Sequence, residues 1–174
     1  ALVFGAILVA TLFMSGASLR WLGILGAAAV AAFPFVWTYV LADYQKARLT
    51  SFLNPLADIQ GTGYQLYQAQ IAVASGGLFG KGLTNGTQTQ SDLLPVQATD
   101  FVFATLAEEL GLIGGIVLFV LFLLLLWRVL VSGWRSRDAF GTLFAAGLAS
   151  MILFQLVVNV GMVLGVMPIT GIPL

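Results

Sequence analysis

The chain of 174 residues is 60% hydrophobic and only 8% charged, with seven basic and seven acidic residues, where a soluble domain carries about 25% charged residues. A globule wetted on all sides is excluded, so lipid must solvate much of the surface, and zero net charge gives no reason to expect a nucleic-acid partner. Cysteine and histidine are both absent, which excludes Ser-His-Asp and Cys-His catalysis and thiolate or imidazole metal ligation within this chain, leaving acid–base work to Asp, Glu, Lys or Tyr and any hard-metal site to oxygen ligands.

In chain order, Ala1–Met14 is apolar but shorter than the roughly 20 residues that a spanning helix needs, and it reads as the second half of a span. Trp21–Ala42 is a full span with Pro34 inside it. Membrane helices tolerate such a proline when neighbours satisfy the freed carbonyl. Residues 43–100 form a long polar loop. The next span runs over 101–128, with an unbroken apolar stretch from Leu110 to Trp127, and the last over 139–166, with Pro168 just beyond it. The chain stops in the loop 167–174, so an internal portion of a longer protein is expected. The predicted fold is all-α: a polytopic membrane helix bundle forming part of a single integral membrane domain, with one long extracytoplasmic loop.

The orientation follows from Lys and Arg. Arg20, Arg128, Arg135 and Arg137, four of the seven basic residues, fall in or beside the two short connections on one side of the membrane. That side is expected to be cytoplasmic, which puts the loop 43–100 outside. In the loop, Asn54-Pro55 signals a turn. Tyr64, Tyr67, Ile71 and Ala74 recur at helical spacing, with Gln65, Gln68 and Gln70 on other faces. This predicts a short amphipathic helix within Gly63–Ser75 at the membrane interface, ended by Gly76-Gly77. Long ordered loops usually carry function.

Asp100 stands where the loop meets the second span. Partial desolvation tends to raise a carboxylate's pKa and make it a better proton acceptor near neutral pH. Asp is also a preferred N-cap, and the two roles can coexist. Glu108 and Glu109 lie about two turns into the span, where a charge is unfavourable unless partnered. Adjacent helical residues point about 100° apart, so one is expected to meet a polar or basic group in the bundle. Lys46, Arg48 and Lys81 are the basic residues of the outer loop. They suit either phosphate contact or headgroup anchoring. Gln88 offers an amide for sugar hydroxyls. Gly111–Gly115 and Gly161–Gly165 read as small-xxx-small packing pairs, and Gln155 and Asn159 as interhelical glue.

Several ordered motifs, taken together, resemble the SEDS family (shape, elongation, division and sporulation proteins), the family of RodA and FtsW. They are Asp43-Tyr-Gln-Lys-Ala-Arg-Leu-Thr-Ser-Phe-Leu-Asn-Pro55, Gly61-Thr-Gly-Tyr-Gln-Leu66, Ile71-Ala-Val-Ala-Ser-Gly-Gly-Leu-Phe-Gly-Lys-Gly82, Asn85-Gly-Thr-Gln88, Thr99-Asp-Phe-Val-Phe-Ala104, Ala107-Glu-Glu-Leu-Gly111, Asn159-Val-Gly-Met162 and Pro168-Ile-Thr-Gly-Ile-Pro-Leu174. The Gly-Thr-Gln and Thr-Asp-Phe contexts favour the RodA branch. The resemblance implies a peptidoglycan glycosyltransferase of the bacterial inner membrane that polymerises lipid II during elongation. It implies a class B penicillin-binding protein as partner, among other cell-elongation membrane proteins and membrane lipid.

Asp100 aligns with the aspartate regarded as essential in that family's outer loop, and Thr99 beside it is expected to contact substrate with Arg48, Lys81, Lys46 and Gln88. A divalent cation, Mg²⁺ or Mn²⁺, suits a pyrophosphate leaving group. The alternatives are a lipid II flippase and a non-catalytic scaffold for the penicillin-binding protein. Where the family often reads Pro-Glu-Gln-His-Thr-Asp, this chain has Pro95-Val-Gln-Ala-Thr-Asp100. An acid and a histidine are missing at Val96 and Ala98, which concentrates the acid–base role on Asp100 or marks an altered member.

Overall fold

Three of the helices are long and apolar enough to cross a membrane: Leu19–Val40, Val102–Trp134 and Ala139–Val163. The computed structural model describes residues 2–43, 45–46, 62–82, 101–172 and 174. Among the described residues the regular structure is helical throughout: α1 (Leu2–Met14), α2 (Leu19–Phe35) continuing as a π-helical turn (Val36–Val40), α3 (Thr62–Gly76), α4 (Val102–Trp134) and α5 (Ala139–Val163). The chain divides into two compact units, Ala1–Asp43 with Leu123–Phe154, and Tyr44–Phe122 with Gln155–Leu174.

In the first unit the helices keep large apolar side chains on the outside, among them Phe4 (76% exposed) and Val30 (75%). In lipid such faces need no protein cover. Pro34 sits two residues before the π-helical turn. The Thr38 hydroxyl donates to the Pro34 and Phe35 carbonyls at 3.1 and 3.2 Å, so the wide turn and a side chain together satisfy carbonyls near the proline. A Cβ at Gly147 of α5 would lie 3.3–3.4 Å from Thr11 and Ile7 of α1, so glycine permits that close packing. The Thr142 hydroxyl donates to the Gly133 carbonyl at 3.1 Å and closes the α4–α5 hairpin.

The second unit has a packed core. Leu66, Ala69 and Ala72 of α3, Phe101, Phe103 and Ala104 at the start of α4, and Leu156, Val160, Met162, Val163 and Ile169 form one cluster. The buried face of α3 is therefore 66/69/72, whereas Tyr67 is 61% exposed and Tyr64 lies at the surface. The periodicity at Tyr64, Tyr67, Ile71 and Ala74 was real but marks the outer face. Small alanines let the helix back onto the core, where tyrosines would hold it away. The expected pair Gly161–Gly165 also plays another part: Gly165 has φ +74° and follows the end of α5. Its N–H donates to Met162 O at 3.0 Å, and the Val166 N–H donates to Gly161 O at 2.8 Å. This is a helix-ending motif whose left-handed residue is normally glycine. Asn159, fully buried, donates from Nδ2 to the Ile172 carbonyl at 3.0 Å and so ties α5 to the segment after it.

Candidate functional site

The long apolar stretch that reads as one span is two helices. Gly111 sits at φ +67°, ψ −161°, which splits α4 into 102–110 and 112–134. In a continuous helix the Glu108 and Glu109 carbonyls would accept from the Leu112 and Ile113 N–H groups. Instead, the turn after α3 occupies the gap. Lys81 N–H and Gly82 N–H donate to the Glu108 and Glu109 carbonyls at 3.0 Å each. Leu112 N–H and Ile113 N–H donate to the Gly77 and Leu78 carbonyls at 3.0 and 3.3 Å. Two bonds within the helix are replaced by four to the turn, and the broken ends stay satisfied, as apolar surroundings require.

Glycine makes this approach possible. A Cβ at Gly111 would overlap Gly80 N and Leu78 O, and one at Gly80 would overlap the Glu109 carbonyl. The pair Gly111–Gly115, expected to serve packing between helices, thus includes the break itself. The break also relocates the acidic pair. The 23 residues of 112–134 rise roughly 34 Å, enough to span the hydrocarbon core alone. Glu108 and Glu109 lie on the short half-helix before it.

Of the two glutamates, Glu108 meets a base. Its carboxylate is 0% exposed and accepts from Lys81 Nζ at 2.9 Å, while the Lys81 side chain is 27% exposed. Lys81, expected to touch phosphate, is therefore held in an ion pair. Glu109 is half-buried, and its carbonyl takes the Gly82 N–H. Lys46 is partly buried. Asp100, Thr99, Arg48 and Gln88 lie outside the described residues, as do Val96 and Ala98. The position directly before the first helical residue, Val102, is Phe101, which is 1% exposed and whose carbonyl accepts from Thr105 N–H at 3.1 Å. That capping position therefore belongs to Phe101. The base at the break, Lys81, was legible in sequence, but its partner and the turn's insertion were not. The signal for them was the density of glycines at 76, 77, 80 and 82 facing a fifth at 111. Among the described residues no group of three or more Asp, Glu, His or Cys gathers to hold a metal ion.

The sequence profile of the family FTSW_RODA_SPOVE, described as cell cycle protein, matches residues 1–174. The chain is 44% identical over 163 residues to the peptidoglycan glycosyltransferase MrdB of Escherichia coli (strain K12), covering 94% of this chain and 44% of that protein. It is 47% identical over 135 residues to the peptidoglycan glycosyltransferase RodA of Treponema pallidum (strain Nichols), covering 78% of this chain and 31% of that protein. A solved chain from work described as "Structural coordination of polymerization and crosslinking by a peptidoglycan synthase complex" superimposes with a TM-score of 0.77 at 32% identity, over 100% of this chain and 47% of that one. This chain thus spans less than half the length of these relatives. With a helical membrane architecture, a profile match from end to end and the ordered loop motifs all in agreement, the chain belongs to the FtsW, RodA and SpoVE family of cell cycle proteins.

Proposed function

We propose that this chain is the part of a peptidoglycan glycosyltransferase that carries the reacting loop, polymerising lipid II into glycan strands during cell-wall elongation. The observation that carries the reading is the 44% identity, across 94% of the chain, to a protein named for that activity. The chain sits in the bacterial inner membrane with residues 43–100 on the extracytoplasmic side. This is supported by the arginines at 128, 135 and 137, which cluster around the far end of α4 from the break.

The chemistry is attack of a sugar 4-hydroxyl on the anomeric carbon of a second, polyprenyl-linked sugar. The new C–O bond forms as the bond to the pyrophosphate breaks. Asp100 takes the hydroxyl proton, since this chain holds no histidine and Val96 and Ala98 cannot accept a proton. Arg48, Lys46 and Lys81 offset the charge that grows on the leaving pyrophosphate, and Thr99 and Gln88 hydrogen-bond sugar or phosphate oxygens. A divalent cation, Mg²⁺ or Mn²⁺, would take oxygen ligands from the pyrophosphate and would supply further charge neutralisation there. The partner is a class B penicillin-binding protein, working alongside other elongation proteins. This is supported by the similarity to a chain from a synthase complex that couples polymerisation to crosslinking.

Purified full chain in proteoliposomes with labelled lipid II tests the reading. Glycan strands are expected. Relocated lipid without strands would make the protein a flippase, and neither outcome would leave a scaffold.

A further inference from the structure

We propose that Glu108 is a positioning residue: it holds the Lys81 ammonium in place for the pyrophosphate of the lipid-linked substrate, an inference that rests on the transferase reading above. Lys81 is the charged residue of a turn whose sequence is Gly76-Gly-Leu-Phe-Gly-Lys-Gly82, and it is flanked by Gly80 (φ +77°) and Gly82 (φ +94°). A lysine between two such glycines has wide freedom of both backbone and side chain. Here both are removed by one residue. The Glu108 carbonyl accepts the Lys81 backbone N–H at 3.0 Å, and the Glu108 carboxylate accepts the Lys81 Nζ at 2.9 Å.

The asymmetry of burial shows which member serves the other. Glu108 is 0% exposed and cannot itself meet a ligand, whereas the Lys81 side chain keeps 27% exposure. A fully buried carboxylate is unfavourable without a partner, so it keeps the lysine docked. An ammonium fixed in advance binds an anion with less ordering loss than a free one. The same clasp joins the turn to the half-helix 102–110, which begins two residues after Asp100 in sequence. Val102 and Glu108 are six residues apart on that half-helix, an axial separation of roughly 9 Å. The helix that leads away from the proposed base therefore also carries the clasp for the proposed cation.

The test uses the full chain and two readouts: polymerisation kinetics on lipid II and affinity for polyprenyl pyrophosphate in detergent micelles. Glu108→Ala is expected to raise both KM and the dissociation constant by about 10- to 100-fold, the range for one hydrogen bond to a charged group. The pH profile of kcat should stay in place, because the base is elsewhere. Glu108→Gln, which retains an acceptor oxygen, should recover part of the loss. Lys81→Met/Glu108→Gln removes both charges. It should regain the thermal stability lost in either single charge deletion while KM stays high.

Return of KM to the wild-type value in that double variant would overturn the proposal and leave a purely structural clasp. So would a folded Glu108→Ala protein with unchanged affinity. Equal weakening for phosphatidylglycerol would make Lys81 a headgroup anchor and sink the assignment as well. If the wild type binds polyprenyl pyrophosphate but makes no strands, the transferase reading fails, and the affinity arm still decides the role of Glu108.

Discussion

In the unit built from 1–43 and 123–154, neither α1 nor α2 buries a residue. In the unit built from 44–122 and 155–174, Phe101, Glu108, Asn159, Met162 and Val163 are all fully buried. In the first unit, α1 and α2 present apolar side chains outward and hydrogen-bond their backbone within each helix, which is all that lipid demands. The second holds a charged pair, a buried amide and an interrupted helix, each of which needs partners placed to within a few tenths of an ångström. Oily length suffices for a helix that only has to cross the bilayer. A helix that has to present chemistry at its end must be locked by specific contacts. The contrast predicts that the same kind of substitution will be absorbed by one unit and felt by the other.

The largest effect is expected at the proposed base. Asp100→Asn should lower the polymerisation rate by about 10²–10⁴-fold, the range for loss of general-base catalysis, while leaving the thermal midpoint in detergent nearly unmoved. Long glycan strands at a near wild-type rate would end the assignment.

Glycine substitutions sharpen the contrast more directly. Gly111→Ala forces an L residue to φ +67° and pushes a methyl group into Gly80 and Leu78. The backbone strain alone is worth about 1–3 kcal/mol, and the steric overlap adds to it. Gly26→Ala in α2 meets nothing within 4 Å and should be neutral or stabilising by up to about 1 kcal/mol. Thermal unfolding of both variants in one detergent is the measurement, and similar midpoints would erase the distinction between the units.

Asn159→Ala, which leaves the Ile172 carbonyl without its amide donor, should destabilise by about 1–3 kcal/mol. Faster proteolysis near 167–174 would accompany it, and an unchanged cleavage rate would count against this tie. The smallest effects belong to single basic residues. Arg48→Ala should reduce substrate use by about tenfold as one charge-assisted contact is lost. Arg135→Ala, beyond the far end of α4, should have little effect. Equal losses in a polymerisation assay would mean that the topology or the phosphate assignment is wrong.

Much of this architecture is legible in the sequence. Hydropathy finds the spanning helices, because lipid solvation depends on composition over about 20 residues and tolerates imprecision. The helix between Gly63 and Ser75 is legible from its period, whereas the face that packs on the protein core is not. Tyrosines dominate an apolar pattern by size, yet Ala69 and Ala72 are the residues at 0% exposure. The break at Gly111 is not legible from hydropathy, because apolar residues continue without pause from Leu110 to Trp127 and a window average cannot register one dihedral angle. Glu108 could be predicted to need a partner but not which one, since the choice of Lys81 depends on a turn 27 residues earlier in sequence folding back into the gap.

The exchange of hydrogen bonds at Gly111 bears on the order in which the protein is assembled. Without the turn, the segment 102–134 can close its two missing helical bonds and become one straight rod, leaving no amide or carbonyl bare in its interior. An unbroken apolar rod is the form that membrane insertion selects. The turn 77–82 precedes α4 in the chain, so it is already synthesised when α4 emerges. We therefore expect α4 to enter the bilayer straight and to bend only when the turn docks. An isolated 102–134 peptide in micelles should show helical amide protection running through Leu112 and Ile113. If that peptide is instead kinked at Gly111, the bend belongs to α4 alone; if it is straight, the outer end of this helix takes its final shape as a late step of folding, after the membrane has already accepted it.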